Sequence, residues 1–414
     1  MWSRSNSKQD GRNILYNTII IGAGPVGSYL ADKLGQLGHS VLVLDKKSGP
    51  GQDVCCTGIV SKECLDLLPA GIDLPRKPIS SATFVAPSGK SLKLSRPDVV
   101  AYVVDRVVME QVLSERARSD NVCYLFDRAV GDVELTATCV KVTANCGGRK
   151  TTFEAETAVI TAGFGSPLPA RLGLGKINRY ITGAQAEVGI SDLRDIEIYF
   201  DRKLGPGGFS WLVPTGPDRG LVGQLSYRQP KQNFRKLLSA LKTRRKILTT
   251  EVKPDYRLIP LKPLPKTCGN RLLVIGEAAG QVKPVTGGGL YYGFLCADIA
   301  ADTLHQAFLA GDFSEHQLAA YERRWRALLG KELTVGFWVH RLYRLVGNSQ
   351  IEAVHNLISR NGMPRFISEM EEFPFDWHGR LIGKTLKHLV VSIPSLAIKP
   401  LIKREADADK QKLG

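Results

Sequence analysis

The chain has no C-x-x-C pair among its eight cysteines. That absence removes the zinc and iron–sulfur centres built on such pairs. Eight thiols in 414 residues are too sparse for a disulfide scaffold, so free thiols and a reducing compartment are expected. No apolar run reaches about 18 residues, the length a spanning helix needs. The longest stretch of that kind, HLVVSIPSLAI at 388–398, is short and is broken by Pro394. The opening MWSRSNSKQDGRN is polar and lacks the apolar core of a secretory signal. No internal repeat occurs, and no zinc-finger, RNP-like or other nucleic-acid motif. Acidic side chains are also scarce, 40 against 56 Lys and Arg, for a formal net charge of +16. Such a balance favours an anionic partner, either a membrane surface or a phosphorylated molecule once nucleic acid lacks a motif.

What is present is an ordinary globular composition, 43% hydrophobic and 23% charged, in a chain long enough for two or three domains. Residues 16–21 and 41–44 are β-branched apolar runs without alternation, the texture of buried parallel strands. Between them Pro25 to Leu37 has a helical pattern, ended by Gly38. Two further apolar runs, TAVITAG (157–163) and RLLVIGEAAG (271–280), are expected to complete a parallel sheet assembled from distant segments. The texture changes at DIEIYFD (195–201), FSWLVP (209–214) and RGLVGQLSY (219–227), which alternate and are separated by Gly and Pro turns. They predict antiparallel strands in a second domain interrupting the first. After residue 288 the pattern is mostly helical, and from about 405 it is charged and expected to be disordered.

Gly22, Gly24 and Gly27 form G-x-G-x-x-G between a predicted strand and a predicted helix, within the run Gly22-Ala23-Gly24-Pro25. The first glycine permits the tight turn, the second lets the backbone approach a pyrophosphate, and the third lets helix and strand pack closely. The helix N-terminus then presents partial positive charge to phosphates. Asp45 ends the second strand where an acid can bind a ribose hydroxyl, and Lys46 follows it. Together these predict dinucleotide binding.

The grip alone does not separate NAD from FAD. The segment LLVIGEAAGQVKPVTGGGLYYGFLCADIAADTL resembles the second FAD motif of glutathione-reductase-type and hydroxybenzoate-hydroxylase-type flavoproteins, usually G-D-A-A-G. The resemblance implies FAD contacts from Gly276, Glu277, Ala278 and Gly280, then Pro284, then Gly287, Gly288 and Gly289 opening a long helix. Such a helix aims its N-terminus at the flavin N1–C2=O edge, where reduced flavin carries negative charge. Here Glu277 replaces the usual Asp. Arg106, in VVDRVVMEQVL, resembles the arginine such proteins place near the FAD phosphates or adenosine; the simpler reading is a surface arginine on an amphipathic helix.

Three features resemble the geranylgeranyl reductase family more narrowly. PGGFSWLVP, Pro206 to Pro214, is similar to its P-x-x-Y-x-W-x-F-P motif, with Phe209 for the Tyr and Val213 for the Phe. CTGIVS, Cys56 to Ser61, is similar to its C-x-G segment, which implies that Cys56, Thr57 and Gly58 lie near the flavin. The G-E-A-A-G to G-G-G segment completes the order over roughly residues 16–305. TAGFGS stands where many relatives carry A-D-G, so Ala162 and Gly163 are left with backbone contacts alone. Phe209 and Trp211 share a strand face, which reads either as core or as the wall of an apolar substrate tunnel.

The resemblance implies an α/β and α+β protein. Residues 16–78, 100–180 and 268–308 would form a Rossmann-like FAD-binding domain, and 79–99 with 181–267 an inserted antiparallel-sheet substrate domain. A helical region, 309–404, would follow, with a flexible extension at 1–15 and a tail at 405–414. The implied reaction is hydrogenation of isolated C=C bonds in a geranylgeranyl or polyprenyl lipid. An alkene without a neighbouring carbonyl needs a proton delivered together with the hydride. Cys56, Tyr291 and Tyr292, or water, are the candidate proton sources; the simpler reading makes all three side chains packing groups. A Cys55–Cys56 vicinal disulfide is a remote alternative.

No second G-x-G-x-x-G unit is present, so electrons would come from transiently bound NADPH or from a ferredoxin-like protein drawn to the basic surface. PKQNFRKLLSALKTRRKIL (230–248) and GRLIGKTLKHLVVSIPSLAIKPLIKR (379–404) are basic and amphipathic, with Phe234, Leu237, Leu238 and Leu241 on one face of the first. Both fit a cytoplasmic protein lying on the inner face of an anionic membrane, or else helices packed by their apolar face on the domain. A flavin monooxygenase or halogenase, and a quinone-linked electron-transfer protein, are the alternative functions.

Overall fold

The computed structural model describes residues 15–360 and 362–392. The strand Leu15–Ile21 runs at the centre of a parallel array, between Val41–Leu44 on one side and the end of Arg149–Ile160 on the other. Leu272–Val274 and Val122–Leu125 flank these, giving the order 272–274, 149–160, 15–21, 41–44, 122–125. Distant stretches of chain thus build one sheet. Both of its faces are covered. Ile20 packs with Tyr29, Leu30 and Val159 on one face, and Ile19 and Ile21 with Ala158 and Ile160 on the other. This double burial is why these strands read as unbroken apolar runs.

The helix Pro25–Gln36 lies on the first face, against Arg106–Ala117 and the long helix Leu290–Ala310. A second long helix, Glu315–Tyr343, packs on Leu290–Ala310 through Leu318, Tyr321, Trp325 and Leu329.

Residues 81–95 and 180–260 supply a seven-stranded sheet, in the order 255–260, 180–189, 219–226, 210–214, 196–199, 81–85, 91–95. It is antiparallel except where Ile196–Tyr199 runs beside Ser81–Val85. Alternation along its strands separates two environments. Leu212, Val222 and Ala184 point to one face, where Phe234, Leu237, Leu238 and Leu241 of the helix Pro230–Thr243 cover them. Trp211, Val213 and Leu225 point to the other. The helix expected to lie on a membrane therefore spends its whole apolar face on the sheet, where those four side chains are nearly inaccessible. Only its basic side faces outward, so the membrane reading of 230–248 is replaced by the packed-helix one. The second basic segment is described as a helix over His378–Ser392; residues 393–404, like 1–14 and the tail 405–414, lie outside the described residues. Among the described residues no helix is long and apolar enough to cross a membrane.

Candidate active site

The glycine grip has the geometry its spacing predicts. Gly22 sits at φ +119°, and a Cβ there would lie 2.6 Å from the carbonyl oxygen of Thr161. A Cβ at Gly27 would overlap the carbonyl oxygen of Gly22, so helix and turn touch through bare backbone. Gly24 meets nothing within 4 Å, leaving its backbone open to a ligand. It is also the N-cap of Pro25–Gln36 and offers no side-chain cap, so the first N–H groups of the helix remain available.

Asp45 also serves the turn itself. Its two carboxylate oxygens accept from the backbone N–H of Ala23 (2.7 Å) and of Lys47 (2.8 Å). The side chain ties the glycine turn to the end of the second strand, and only its remaining lone pairs can reach a ribose. Lys46 is exposed.

The second glycine segment converges on the first. Gly276 and Gly293 both pack against Val26 at the start of Pro25–Gln36. Gly289 caps the helix Leu290–Ala310, again without a side-chain cap. Two uncapped helix N-termini therefore open beside one another. Gly280 is at φ +74°, with the carbonyl oxygen of Lys262 where a side chain would stand, and Gly287 is at φ +78°. Pro284 packs on Gly336, and Ala278 is buried among the residues of the sheet's second face.

Glu277 lies between Gly163 and Gly289, with the N–H of Phe164 donating to it. By surface area it is exposed, yet desolvation dominates its titration and pushes its carboxyl up against the pull of Arg106 and Arg257. The side chain is reachable by solvent yet closely surrounded by Gly163, Gly289 and the two arginines. Ala162 is exposed at the rim, and Gly163 adopts φ +72°.

Arg106 is no surface residue. As the first residue of Arg106–Ala117, it donates to Glu110 at 3.0 Å, with side-chain exposures of 10% and 6%. Burial works against its charge, but Cys56, Glu110 and Glu277 outweigh that and raise its pKa further. Its Nε is buried and has no partner, an orphan donor of the kind a bound phosphate or carbonyl oxygen would satisfy.

Cys56 is half-buried beside Arg106, and its Sγ accepts from the N–H of Gly58 at 3.5 Å. Gly58, at φ +76°, packs on the carbonyl oxygen of Val104 and the side chain of Arg106. Thr57 donates to the side-chain oxygen of Gln185 at 2.8 Å, joining this loop to the seven-stranded sheet. Cys55 and Cys56 are separate thiols, and burial pushes that of Cys55 up to about 11. The two do not form a vicinal disulfide.

Gln185, Gly223 and Trp211 stand in one row across three strands. The indole of Trp211 lies over Gly223, and its Nε1 is buried without a partner. Phe209 lies one residue before the strand Ser210–Pro214, with its ring centroid 5.7 Å from that of Trp211. Tyr227, Ile259 and Phe337 complete a half-buried apolar cluster around them.

Tyr291 and Tyr292 do not join this arrangement. Tyr292 is buried and donates to the main-chain carbonyl of Asp376 at 2.9 Å; burial holds its proton firmly. Tyr291 turns toward Trp377, and burial raises its pKa too. Of the three candidate proton sources, only Cys56 lies beside Arg106. The motifs also left out a buried ion pair. Lys283, between G-E-A-A-G and G-G-G, bonds Asp376 of the C-terminal region and lies against Gly288. A lysine inside a glycine-rich segment was the visible signal; its partner, 93 residues on, had none.

These features fit FAD: open backbone at Gly24, two uncapped helix N-termini, an orphan guanidinium N–H and a walled acid. Residues 20–62 match the model of the NAD(P)-binding Rossmann-like domain. The chain is similar to digeranylgeranylglycerophospholipid reductase 1 of Methanothermobacter thermautotrophicus, at 30% identity over 82% of this chain and 89% of that one. Among solved structures it resembles a geranylgeranyl bacteriochlorophyll reductase-like protein of Thermoplasma acidophilum, with TM-score 0.79 and 17% identity over 92% and 99% of the two chains. It also resembles p-nitrophenol 4-monooxygenase of Pseudomonas putida, with TM-score 0.70 and 16% identity over 86% and 97%. The last two likenesses concern the fold alone.

Proposed function

The chain belongs to the digeranylgeranylglycerophospholipid reductase family, and from that premise we propose that it is an FAD-dependent oxidoreductase saturating isolated C=C bonds of a polyprenyl lipid. The observation that carries this reading is the link Thr57–Gln185, which sets the Cys56–Gly58 loop against the row that ends in Trp211. An acid-, arginine- and helix-lined cleft thereby adjoins an apolar aromatic wall.

Gly22, Ala23, Gly24, Pro25, Gly27 and Arg106 would hold the dinucleotide's phosphates, with Asp45 at the ribose. Glu277, Gly163 and the N-terminus at Gly289 would hold the flavin end. Bound there, FAD supplies the hydride. An unpolarised alkene develops no oxyanion, so a donor pocket for one would serve nothing. The protein's work is to keep the chain flat and dry, and Phe209 and Trp211 offer ring faces for that. The proton for the second alkene carbon would come from the Cys56 thiol, on the loop that carries Thr57, or from water. NADPH, or an acidic ferredoxin-like protein meeting the basic surface, would renew the reducing equivalents.

Purified protein loaded with FAD, chemically reduced and incubated anaerobically with a prenyl lipid should yield lipid heavier by two mass units per double bond. Unchanged lipid would remove the reading. Substrate-dependent oxygen uptake or halogenated product would identify a monooxygenase or halogenase, and quinone reduction without lipid hydrogenation an electron-transfer protein.

A further inference from the structure

Where the long helix Glu315–Tyr343 ends, three large apolar side chains stand in solvent: Trp338 at 51% exposure, Leu342 at 62% and Leu345 at 78%. The spacing i, i+4, i+7 puts them on one side of the helix and its last turn. A contiguous apolar stripe is a different matter from scattered exposed leucines. Cations surround it. The guanidinium of Arg341 lies 5.1 Å from the Trp338 ring centroid, and that of Arg344 lies 4.0 Å from Tyr227. Arg202 donates to the carbonyl of Arg344 at 2.8 Å, and Lys262 sits 4.3 Å from Phe337. From Leu333 to Ile351 the chain carries no acidic residue.

The stripe is continuous with the aromatic wall. Phe337, a member of the Phe209–Trp211 cluster, has its ring 5.9 Å from that of Trp338. A second path runs from Trp211 to Phe209 (5.7 Å), to Phe200 (6.1 Å), to Tyr343 (6.2 Å).

We propose that this stripe docks the protein on an anionic lipid bilayer. Trp338, Leu342 and Leu345 enter the boundary between headgroups and acyl chains, and Arg341 and Arg344 meet the headgroup anions. The substrate's chain leaves the bilayer along Phe337 toward Phe209 and Trp211; this entry route, unlike the docking, rests on the prenyl-lipid reading. A second copy of the chain is a poorer occupant, because a self-complementary contact would press the Arg341 and Arg344 clusters of both copies together.

The test is sedimentation of the full chain with phosphatidylglycerol–phosphatidylcholine vesicles and with phosphatidylcholine alone, for the wild type and for Trp338→Ser/Leu342→Ser/Leu345→Ser. The wild type should bind the anionic vesicles preferentially, less at high salt, and the triple variant at least tenfold more weakly. Equal binding by both proteins would overturn the proposal. So would a change from dimer to monomer in the variant, or a fall in its melting temperature, with vesicle binding unaltered: the first would assign the stripe to a second copy, the other to another segment of this chain. Both proteins should reduce detergent-dispersed prenyl lipid equally. If the wild type fails in detergent, the functional reading falls while the vesicle arm still decides the docking.

Discussion

The indole of Trp211 occupies the space that a side chain at Gly223 would need. The two are register partners across the antiparallel pair, and a Cβ built on Gly223 would overlap the indole ring. The glycine is what lets the tryptophan lie flat on its own sheet. Gly223→Ala should force the ring outward at a stability cost of about 1–3 kcal/mol. A wall displaced by about 1 Å should slow lipid reduction roughly 100-fold. FAD titration, tryptophan emission and lipid mass spectrometry on one preparation check this. Loss of FAD together with activity would mean that the pair serves the fold.

Arg106 and Glu110 are buried partners at the cleft, so removing one leaves the other uncompensated. Arg106→Ala should cost about 3–5 kcal/mol of stability and weaken FAD binding at least tenfold. Arg106→Lys should retain the charge but not the planar fork, and so recover stability better than affinity. Chemical denaturation and flavin fluorescence separate the two effects.

Lys283 and Asp376 clamp the G-G-G segment to the C-terminal region, and Asp376 Oδ2 has no partner of its own. Asp376→Asn should destabilise the protein by about 3–5 kcal/mol, while the double variant Lys283→Met/Asp376→Leu, which replaces the pair with apolar side chains of similar volume, should recover much of it. Melting temperatures of the single and double variants give the answer.

His340 is buried beneath Tyr227, to which it is hydrogen-bonded at 2.7 Å. Burial, aided by Arg344, pushes its pKa down to about 4. A histidine held neutral in the fold binds protons first in the unfolded chain. Its stabilising contribution is therefore complete above about pH 6.5 and is lost as the pH falls toward 4. His378, pushed down to about 3 by burial and Lys283, acts in the same sense. Melting temperature should fall between pH 6.5 and 4, and His340→Gln should flatten that slope.

The parallel strands were legible because burial on both faces leaves an unmistakable apolar run, and the glycine grip because its spacing is set by backbone contact alone. Glu277 and Cys56 were legible through their neighbours in short motifs. The two backbone N–H groups that Asp45 accepts from were not legible, because sequence shows an acid at a strand end but not which donors reach it. Gln185 and Gly223 were invisible, since their role arises only when strands pair across distant residues. The membrane reading of 230–248 erred for a general reason: a basic amphipathic pattern states that one face is apolar, not what covers it. At Trp338 the reverse held, and exposure appeared only in three dimensions.

The central sheet carries a consequence for the order of synthesis. Leu15–Ile21 emerges from a ribosome early, but its neighbour Arg149–Ile160 comes far later, and Leu272–Val274 later still. The second uncapped helix begins only at Leu290. The nucleotide grip is therefore translated first and completed nearly last, after a whole second sheet has been made between its halves. At about 5–20 residues per second, the apolar strands of its first half wait many seconds for their partners. Such long-range pairing is intrinsically slow and leaves strand edges open meanwhile. Until those later segments have appeared, a nascent chain of this protein exposes unpaired apolar strand edges, and cofactor supplied before that point finds only half a cradle.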